Sequence, residues 1–354
     1  MEIAARRGVV QPAGVSALHQ ARKQFTHPLQ VFLRIHSVSP DASDPHQEPP
    51  VVGITQARRI YPLRRWEARD LAATDRKRRQ ALQSATITHD LTAHYGSDGI
   101  VERLLGALDG AGFDIDALEP EALAGADEFH IGGRVGSELV ADALAVGTGD
   151  HVLDIGSGIG GTARFLRRVT GAKVSGVDLT PEFVDAAIRL TDLVGLFDGI
   201  DFRTGSATDL PFDNASFDAI CMVHVGMNIA DKCAMFTEMA RVARPDSPAV
   251  VYDIMLTGSG DELVYPMPWS STPEFSFPAL QSEYEAAAAA AGLTLPASQD
   301  HSDLARKFFN EPPANPPQVT LGHLMGPEMP TMFSNAKAAV NAGQISPVIL
   351  TFRT

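Results

Sequence analysis

HVLDIGSGIGGTARFLRR, His151 to Arg168, changes character twice along its length. Val152, Leu153, Asp154 and Ile155 form a short apolar run with one acid, the signature of a buried strand in a parallel sheet. Gly156, Ser157, Gly158, Ile159, Gly160 and Gly161 follow as a turn that needs glycine-rich backbone. From Thr162 the spacing becomes helical, with Phe165, Leu166 and Val169 on one face. Strand, glycine loop and helix is the arrangement by which an open α/β sheet receives a nucleotide-like ligand. Small residues let the backbone approach the ligand, and the helix start offers unpaired N–H groups.

Gly156, Gly158 and Gly161 satisfy G-x-G-x-x-G, a pattern that by itself also fits a glycine turn with no ligand. Context strengthens it. Lys173 to Val177 reads as the next strand, and Asp178 stands at its end, where an acid can accept hydrogen bonds from both hydroxyls of a ribose.

The chain has 354 residues, 44% of them hydrophobic and 20% charged. That length suits two domains or one large domain with insertions. Mean hydropathy is -0.02, and no apolar run approaches the roughly 20 residues a membrane helix needs. The 2 cysteines, Cys221 and Cys233, show neither metal-site nor disulfide spacing, so a reducing cytoplasm is the expected compartment. Net charge is -14, unevenly spread. Residues 1–79 carry 14 Lys and Arg against 7 Asp and Glu; the remainder carries 15 against 36. An acidic body of this kind disfavours nucleic acid as a partner.

Three regions follow from this reading. Residues 1–80 form a basic, largely disordered or irregular extension, broken by Pro40, Pro45, Pro49 and Pro50, without a signal-peptide pattern. A polar helix is expected from Ala68 to Leu91. Residues 81–150 form a helical cap: an amphipathic stretch from Ile100 to Leu108, a turn of helix after Pro120, the loop DEFHIGGR from Asp127 to Arg134, and a helix from Val135 to Ala145. That loop, just upstream of the first strand, is placed to fold over a ligand, and His130 reads either as a ligand contact or as a structural histidine. Residues 151–354 form the ligand-binding domain, with insertions at about 257–278 and 300–345.

Within that domain Thr180 is the expected N-cap of a helix from Pro181 to Leu196. Ile200 to Arg203, Phe217 to Val225, Ala249 to Met255 and Pro347 to Arg353 read as strands. GSATDLPF, Gly205 to Phe212, is a polar turn able to hold an adenine edge. Ligands in open α/β sheets lie outside the carboxyl ends of the strands, which singles out His224, Asn228 and Asp253. Asp253 either orients a cationic amine or packs as a satisfied acid. In the long connection from Thr257 to Pro278, Trp269 heads a set of aromatics suited to a substrate wall or a surface cover.

VLDIGSGIGG, the acid in GVDLTPEFV, GSATDLPF, FDAICMVHVGMNI and MARVARPDSPAVVYDIM together resemble a class I S-adenosylmethionine-dependent methyltransferase over about residues 90–354. The similarity is greatest to small-molecule enzymes of the sarcosine/dimethylglycine N-methyltransferase and quinone C-methyltransferase type. It implies a Rossmann-like α/β fold: a seven-stranded, mostly parallel sheet with an antiparallel last strand, a helical N-terminal cap and inserted lid segments. It implies that Asp154, Gly156, Ser157 and Gly158 cradle the methionine part of S-adenosylmethionine, and that Asp178 takes the ribose hydroxyls with Leu179 beside the adenine. It further implies that Ala207 meets the adenine through its backbone, after Ser206, where the family commonly has an acid. His224 follows the fourth strand, where family members line the methyl-transfer site.

A sulfonium methyl is already activated, so the protein mainly aligns nucleophile and sulfur and excludes water. A base is needed only for a nucleophile that carries a proton. His224, with an ordinary pKa of about 6.5, is the candidate base, or a histidine that hydrogen-bonds cofactor or backbone. The expected partner is a small-molecule methyl acceptor with an N-, O- or C-nucleophile, with no metal, no nucleic acid and no membrane span; a homodimer is left open. The competing readings are a nicotinamide-dependent oxidoreductase, for which no Tyr-x-x-x-Lys follows the fourth strand, and a catalytically silent S-adenosylmethionine-binding protein.

Overall fold

The computed structural model describes residues 99–354, apart from 259–262, 312, 314, 315 and 321. The expected extension over residues 1–80 and the helix from Ala68 to Leu91 lie outside the described residues.

Three helices precede the sheet. Helix α1 (Ile100–Gly110) buries Ile100, Val101, Leu104 and Leu108. A 3-10 turn at Pro120–Leu123 leads into the one-turn α2 (Ala124–Asp127). Helix α3 (Arg134–Leu144) then feeds β1 (His151–Ile155). The alternation that follows is β1, α4 (Gly161–Thr170), β2 (Lys173–Asp178), α5 (Pro181–Leu193), β3 (Ile200–Thr204), β4 (Ala219–Val223), α6 (Lys232–Val242) and β5 (Pro248–Leu256). The chain ends with α7 (Gln281–Ala290), β6 (Thr294–Asp300), α8 (Ser302–Asn310), α9 (Gly322–Met325), α10 (Met329–Asn341) and β7 (Ile345–Arg353).

The seven strands form one sheet in the order β3-β2-β1-β4-β5-β7-β6. Pairing is parallel from β3 through β5, and β7 runs antiparallel between β5 and β6. An antiparallel strand inserted ahead of β6 departs from the dinucleotide-binding order 3-2-1-4-5-6, and so argues against the oxidoreductase reading. Both faces of the central strands are covered, as parallel sheets require. Along β4, Ile220 and Met222 point to one side, where Met235, Phe236 and Met239 of α6 and Tyr284 of α7 pack. Ala219 and Cys221 point to the other, against Val140 and Leu144 of α3 and Leu166 of α4.

Strand β6 is a difference from the sequence reading, which assigned nothing between Gly292 and His301. TLPASQD is almost entirely exposed and contains Pro296, and its register shifts between Thr294 and Ala297. It is an edge strand blunted by a proline and a bulge, and so lacks the apolar alternation that marks an interior strand. Thr180 is a second difference. Pro181 opens α5 as expected, but the Thr180 side chain makes no capping bond. Its backbone N–H instead donates to Asp178 Oδ1 at 2.9 Å.

Among the described residues no helix is long and apolar enough to cross a membrane, and no group of three or more His, Cys, Asp or Glu could hold a metal ion.

Candidate functional site

At the carboxyl end of β1 the chain must turn away from the sheet within a few residues. Gly156 and Gly158 do this with φ of 74° and 51°, a left-handed conformation that other residues adopt at a cost. The amides of Gly156 and Ser157 donate to Val177 O at 2.7 and 3.0 Å, tying the loop to β2. A Cβ at Gly156 would lie 2.2 Å from Val225 Cγ2. Gly156 is therefore required by packing as well as by torsion, and Gly158 by torsion alone.

Asp178, half-buried at the tip of β2, holds the same loop through its side chain. Its Oδ2 accepts from Gly158 N at 2.8 Å and its Oδ1 from Thr180 N. Burial pushes this carboxyl upward while the amides hold it down. Asp154, fully buried beneath the loop, is pushed up to about 7 by desolvation, opposed by a contact from Cys221 Sγ at 3.6 Å. Asp154 Oδ2 and Ser157 Oγ are buried with no partner among the described residues. Such orphaned polar atoms are uncommon in native interiors.

The loop forms the floor of a cleft with about 640 Å3 of empty space, part of it open to solvent. Gly156, Ser157 and Gly158 line one side; Asp127, Phe129 and His130 of the cap line the other. The loop expected to fold over a ligand thus does lie over the glycine turn. A feature absent from the sequence reading holds it there. Arg164, on α4 and 2% exposed, forms a two-pronged ion pair with Asp127, 9% exposed; Nε to Oδ2 is 3.1 Å, and Nη1 donates to Thr191 Oγ1 at 3.0 Å. Gly161 has no side chain because the Asp127 backbone occupies that space, 2.2 Å from a would-be Cβ. Three further pairs flank this one: Glu102 with Arg189, Glu121 with Arg168, and Glu128 with Arg134.

His130 is buried; its Nε2 is 2.9 Å from Gly133 O and 3.2 Å from Ser137 Oγ. Desolvation lowers its pKa to about 4, so it is a neutral hydrogen-bonded ring. His224 stands beside Val223, which lines the cleft. Its ring centroid is 5.9 Å from His130 and 5.0 Å from Tyr252. The expectation of an imidazole titrating near 6.5 is corrected: burial holds His224 well below its ordinary value, with His130 adding to the effect. Its backbone N–H, not its ring, makes the hydrogen bond, to Tyr252 O at 2.7 Å.

The remaining sequence candidates lie elsewhere. Asp253 is wholly buried, and its Oδ2 accepts from Tyr284 Oη at 2.7 Å and its Oδ1 from Ile254 N at 2.9 Å. It is a satisfied interior acid, held up at about 6 by burial, and does not orient an amine in the cleft. Asn228 donates to Trp269 O at 2.7 Å. Trp269 is not a wall of the cleft; it sits in a satellite core with Ile254, Met267, Phe309 and Val340 and donates from Nε1 to Ser276 Oγ. Lys232, which the sequence reading passed over, organises this side. Its buried Nζ donates to the carbonyls of Gly226, Ile229 and Phe277, joining the turn after β4 to the end of the long connection. On the opposite flank Leu179 and Ala207 are half-buried. Ser206 Oγ is 2.9 Å from Thr208 Oγ1 and accepts from Thr208 N at 3.2 Å, so it braces its own turn.

Residues 153–251 match the family described as "Methyltransferase domain". Methyltransferase GfsG of Streptomyces halstedii is 33% identical over 127 residues, which is 36% of this chain and 46% of that protein. The 2-methyl-6-phytyl-1,4-hydroquinone methyltransferase of Synechocystis sp. is 36% identical over 114 residues, 32% of this chain and 34% of that protein. These matches span less than half the length of the curated relatives. The solved geranyl diphosphate C-methyltransferase from Streptomyces coelicolor A3(2), in complex with Mg2+, geranyl-S-thiolodiphosphate and S-adenosyl-L-homocysteine, is 18% identical with a TM-score of 0.55, covering 75% of this chain and 97% of that one. The chain carries a methyltransferase domain of the class I fold.

Proposed function

We propose that this protein is an S-adenosylmethionine-dependent methyltransferase acting on a small-molecule acceptor. The observation that carries the proposal is the 2.8 Å bond from Gly158 N to Asp178 Oδ2. It ties the carboxylate at the tip of β2 to the left-handed glycine loop that lines the cleft, roofed by Phe129 and His130. The similarity to methyltransferases of Streptomyces halstedii and Synechocystis sp. supports the same reading.

Bound there, S-adenosylmethionine supplies a sulfonium methyl activated for in-line displacement. The chain's own residues divide the work of binding. The free lone pairs of Asp178 accept from ribose hydroxyls. The backbone of Gly156–Gly158 and the orphaned Ser157 Oγ take the methionine end, and the unpartnered Asp154 Oδ2 receives a cationic group close to the loop. Leu179 and Ala207 flank the adenine. With Ser206 committed to Thr208, the adenine amino group is left to backbone carbonyls. The cap lowers the local dielectric and keeps water from the reacting carbon. Two free thiols, Cys221 and Cys233, support a reducing, cytoplasmic setting.

The test is calorimetric titration of S-adenosylmethionine into the full chain and its Asp178→Ala variant, followed by a methyl-label transfer screen over pooled small metabolites. Wild type binds and transfers label; the variant loses about a hundredfold in affinity, the worth of two charge-assisted hydrogen bonds. Wild-type protein that ignores S-adenosylmethionine, or binds a nicotinamide dinucleotide in its place, would overturn the proposal.

A further inference from the structure

Glu128 and Arg134 bracket the stretch from Phe129 to Gly133, which carries the roof of the cleft. Their side chains meet across the base of this loop, with Arg134 Nε 2.8 Å from Glu128 Oε1. Oε1 is buried and takes no aligned hydrogen bond among the described residues, so the contact holds by charge rather than by a directed bond. On its other side the Arg134 guanidinium stands 4.8 Å from the centroid of the Phe165 ring. The loop is thereby tied to α4, the helix that starts at the glycine turn.

Three anchors hold this loop, and they differ in kind. Asp127 pins its start to Arg164, and Tyr252 Oη donates to Ile131 O in its middle at 2.8 Å. Both of these are buried. The third, Glu128 on Arg134, is partly exposed, at 14% and 37% for the two side chains. It closes a turn in which Gly132 and Gly133 have φ of 92° and 49°, and paired glycines have many other conformations open to them. The charge on Glu128 is also contested. Burial pushes its carboxyl up to about 7; Arg134 opposes the rise, and Asp127 and Glu138 add to it. A proton taken up there cancels the attraction to Arg134 and leaves the other two anchors in place. The Glu128 clasp is thus the adjustable one.

Resting on the methyltransferase reading above, we infer that Glu128 is a positioning residue for the cofactor: its negative charge on Arg134 holds Phe129 and His130 over the cleft, and cofactor affinity follows that charge. A roof fixed before the ligand arrives spares the ligand the cost of ordering it. Above neutral pH the clasp is charged and the roof is set. Below it the carboxyl is neutral, and the glycine turn relaxes between its two remaining anchors.

The experiment is calorimetric titration of S-adenosylhomocysteine into the full chain and its Glu128→Gln variant, at pH 8 and pH 6. The glutamine keeps the shape and removes the charge. The readout is the ratio of the two dissociation constants, variant over wild type. Asp154, which titrates in the same range, is present in both proteins and cancels in that ratio. The ratio should be about five at pH 8, the upper end for one partly exposed ion pair, and should fall to about one at pH 6. Arg134→Gln should weaken binding about equally at pH 8, and the double variant should be no weaker than either single one. A ratio that is the same at both pH values marks a merely structural side chain and overturns the inference. So does a ratio near one at pH 8, or a double variant in which the two losses multiply. Wild type that fails to bind S-adenosylhomocysteine at either pH overturns the cofactor assignment, and this inference with it.

Discussion

Replacing Asp127 with alanine tests whether one buried ion pair holds the cap over the glycine loop. The substitution leaves the Arg164 guanidinium, 2% exposed, with Thr191 Oγ1 as its remaining partner. Removing one partner of a buried pair costs about 3–5 kcal/mol, because the surviving charge stays desolvated. At roughly 2–4 °C per kcal/mol for a domain of this size, the melting temperature should fall by about 10 °C. The loss should also reach the cleft, because Phe129 and His130 of the roof lie two and three residues after Asp127; S-adenosylmethionine affinity should fall about tenfold, a change of about 1.4 kcal/mol. The decisive control is Asp127→Leu combined with Arg164→Met. Exchanging the whole pair for apolar residues of similar volume is often neutral, so the double variant should regain most of the melting temperature. Differential scanning calorimetry reads stability and isothermal titration reads affinity. A single variant that melts within about 2 °C of wild type, or a double variant no more stable than the single, would refute the reasoning.

Gly156→Ala places a side chain on a residue at φ 74° and 2.2 Å from Val225; denaturant titration should show a loss of about 1–3 kcal/mol, and an unchanged midpoint would contradict the packing argument. His130 should make stability depend on acid. With its folded pKa near 4 and its unfolded value near 6.5, the unfolded chain alone takes up the proton between those pH values, so about 3 kcal/mol present above pH 6.5 is lost as pH falls to 4. Asp154, held near 7, works in the opposite sense, subtracting stability as pH rises from about 4 to 7. Chemical denaturation across pH should therefore show the advantage of wild type over His130→Gln shrinking toward pH 4, and that of Asp154→Asn over wild type growing toward pH 8. Lys232→Met removes the donor from three carbonyls, at about 3 kcal/mol in total; hydrogen exchange should rise at residues 226–229 and 263–278, and unchanged protection there would remove Lys232 from its joining role.

The sequence was most readable where local chemistry and tertiary demand coincide. Glycines 156 and 158 turn a buried strand at the one place the fold must turn, and Asp178 falls at the tip of the next strand, so spacing alone located both. Pro181 marked a helix start that the fold retains. It was least readable where the partner is distant. Arg164 stands in a run of arginines on an amphipathic helix, indistinguishable from its solvated neighbours, and only the fold brings it to Asp127, earlier in the chain by 37 positions. Trp269 and Asp253 looked like site residues because aromatic and acidic groups near strand ends usually are; a satellite core and a tyrosine hydroxyl claim them instead. Strand β6 escaped because an exposed edge carries no periodic apolar face.

Three of the ion pairs join cap to domain and share one direction: Glu102, Glu121 and Asp127 are on the cap, and Arg189, Arg168 and Arg164 are on the domain. Mobile ions weaken such contacts unequally. The outermost two, Glu102 with Arg189 and Glu121 with Arg168, are solvent-exposed pairs that contribute less as salt rises, whereas the interior pair at Asp127 is shielded from the bath. Rising ionic strength would peel the cap back from its margins while its centre stays riveted, so salinity should set how quickly a ligand passes beneath it more than whether the domain stays folded.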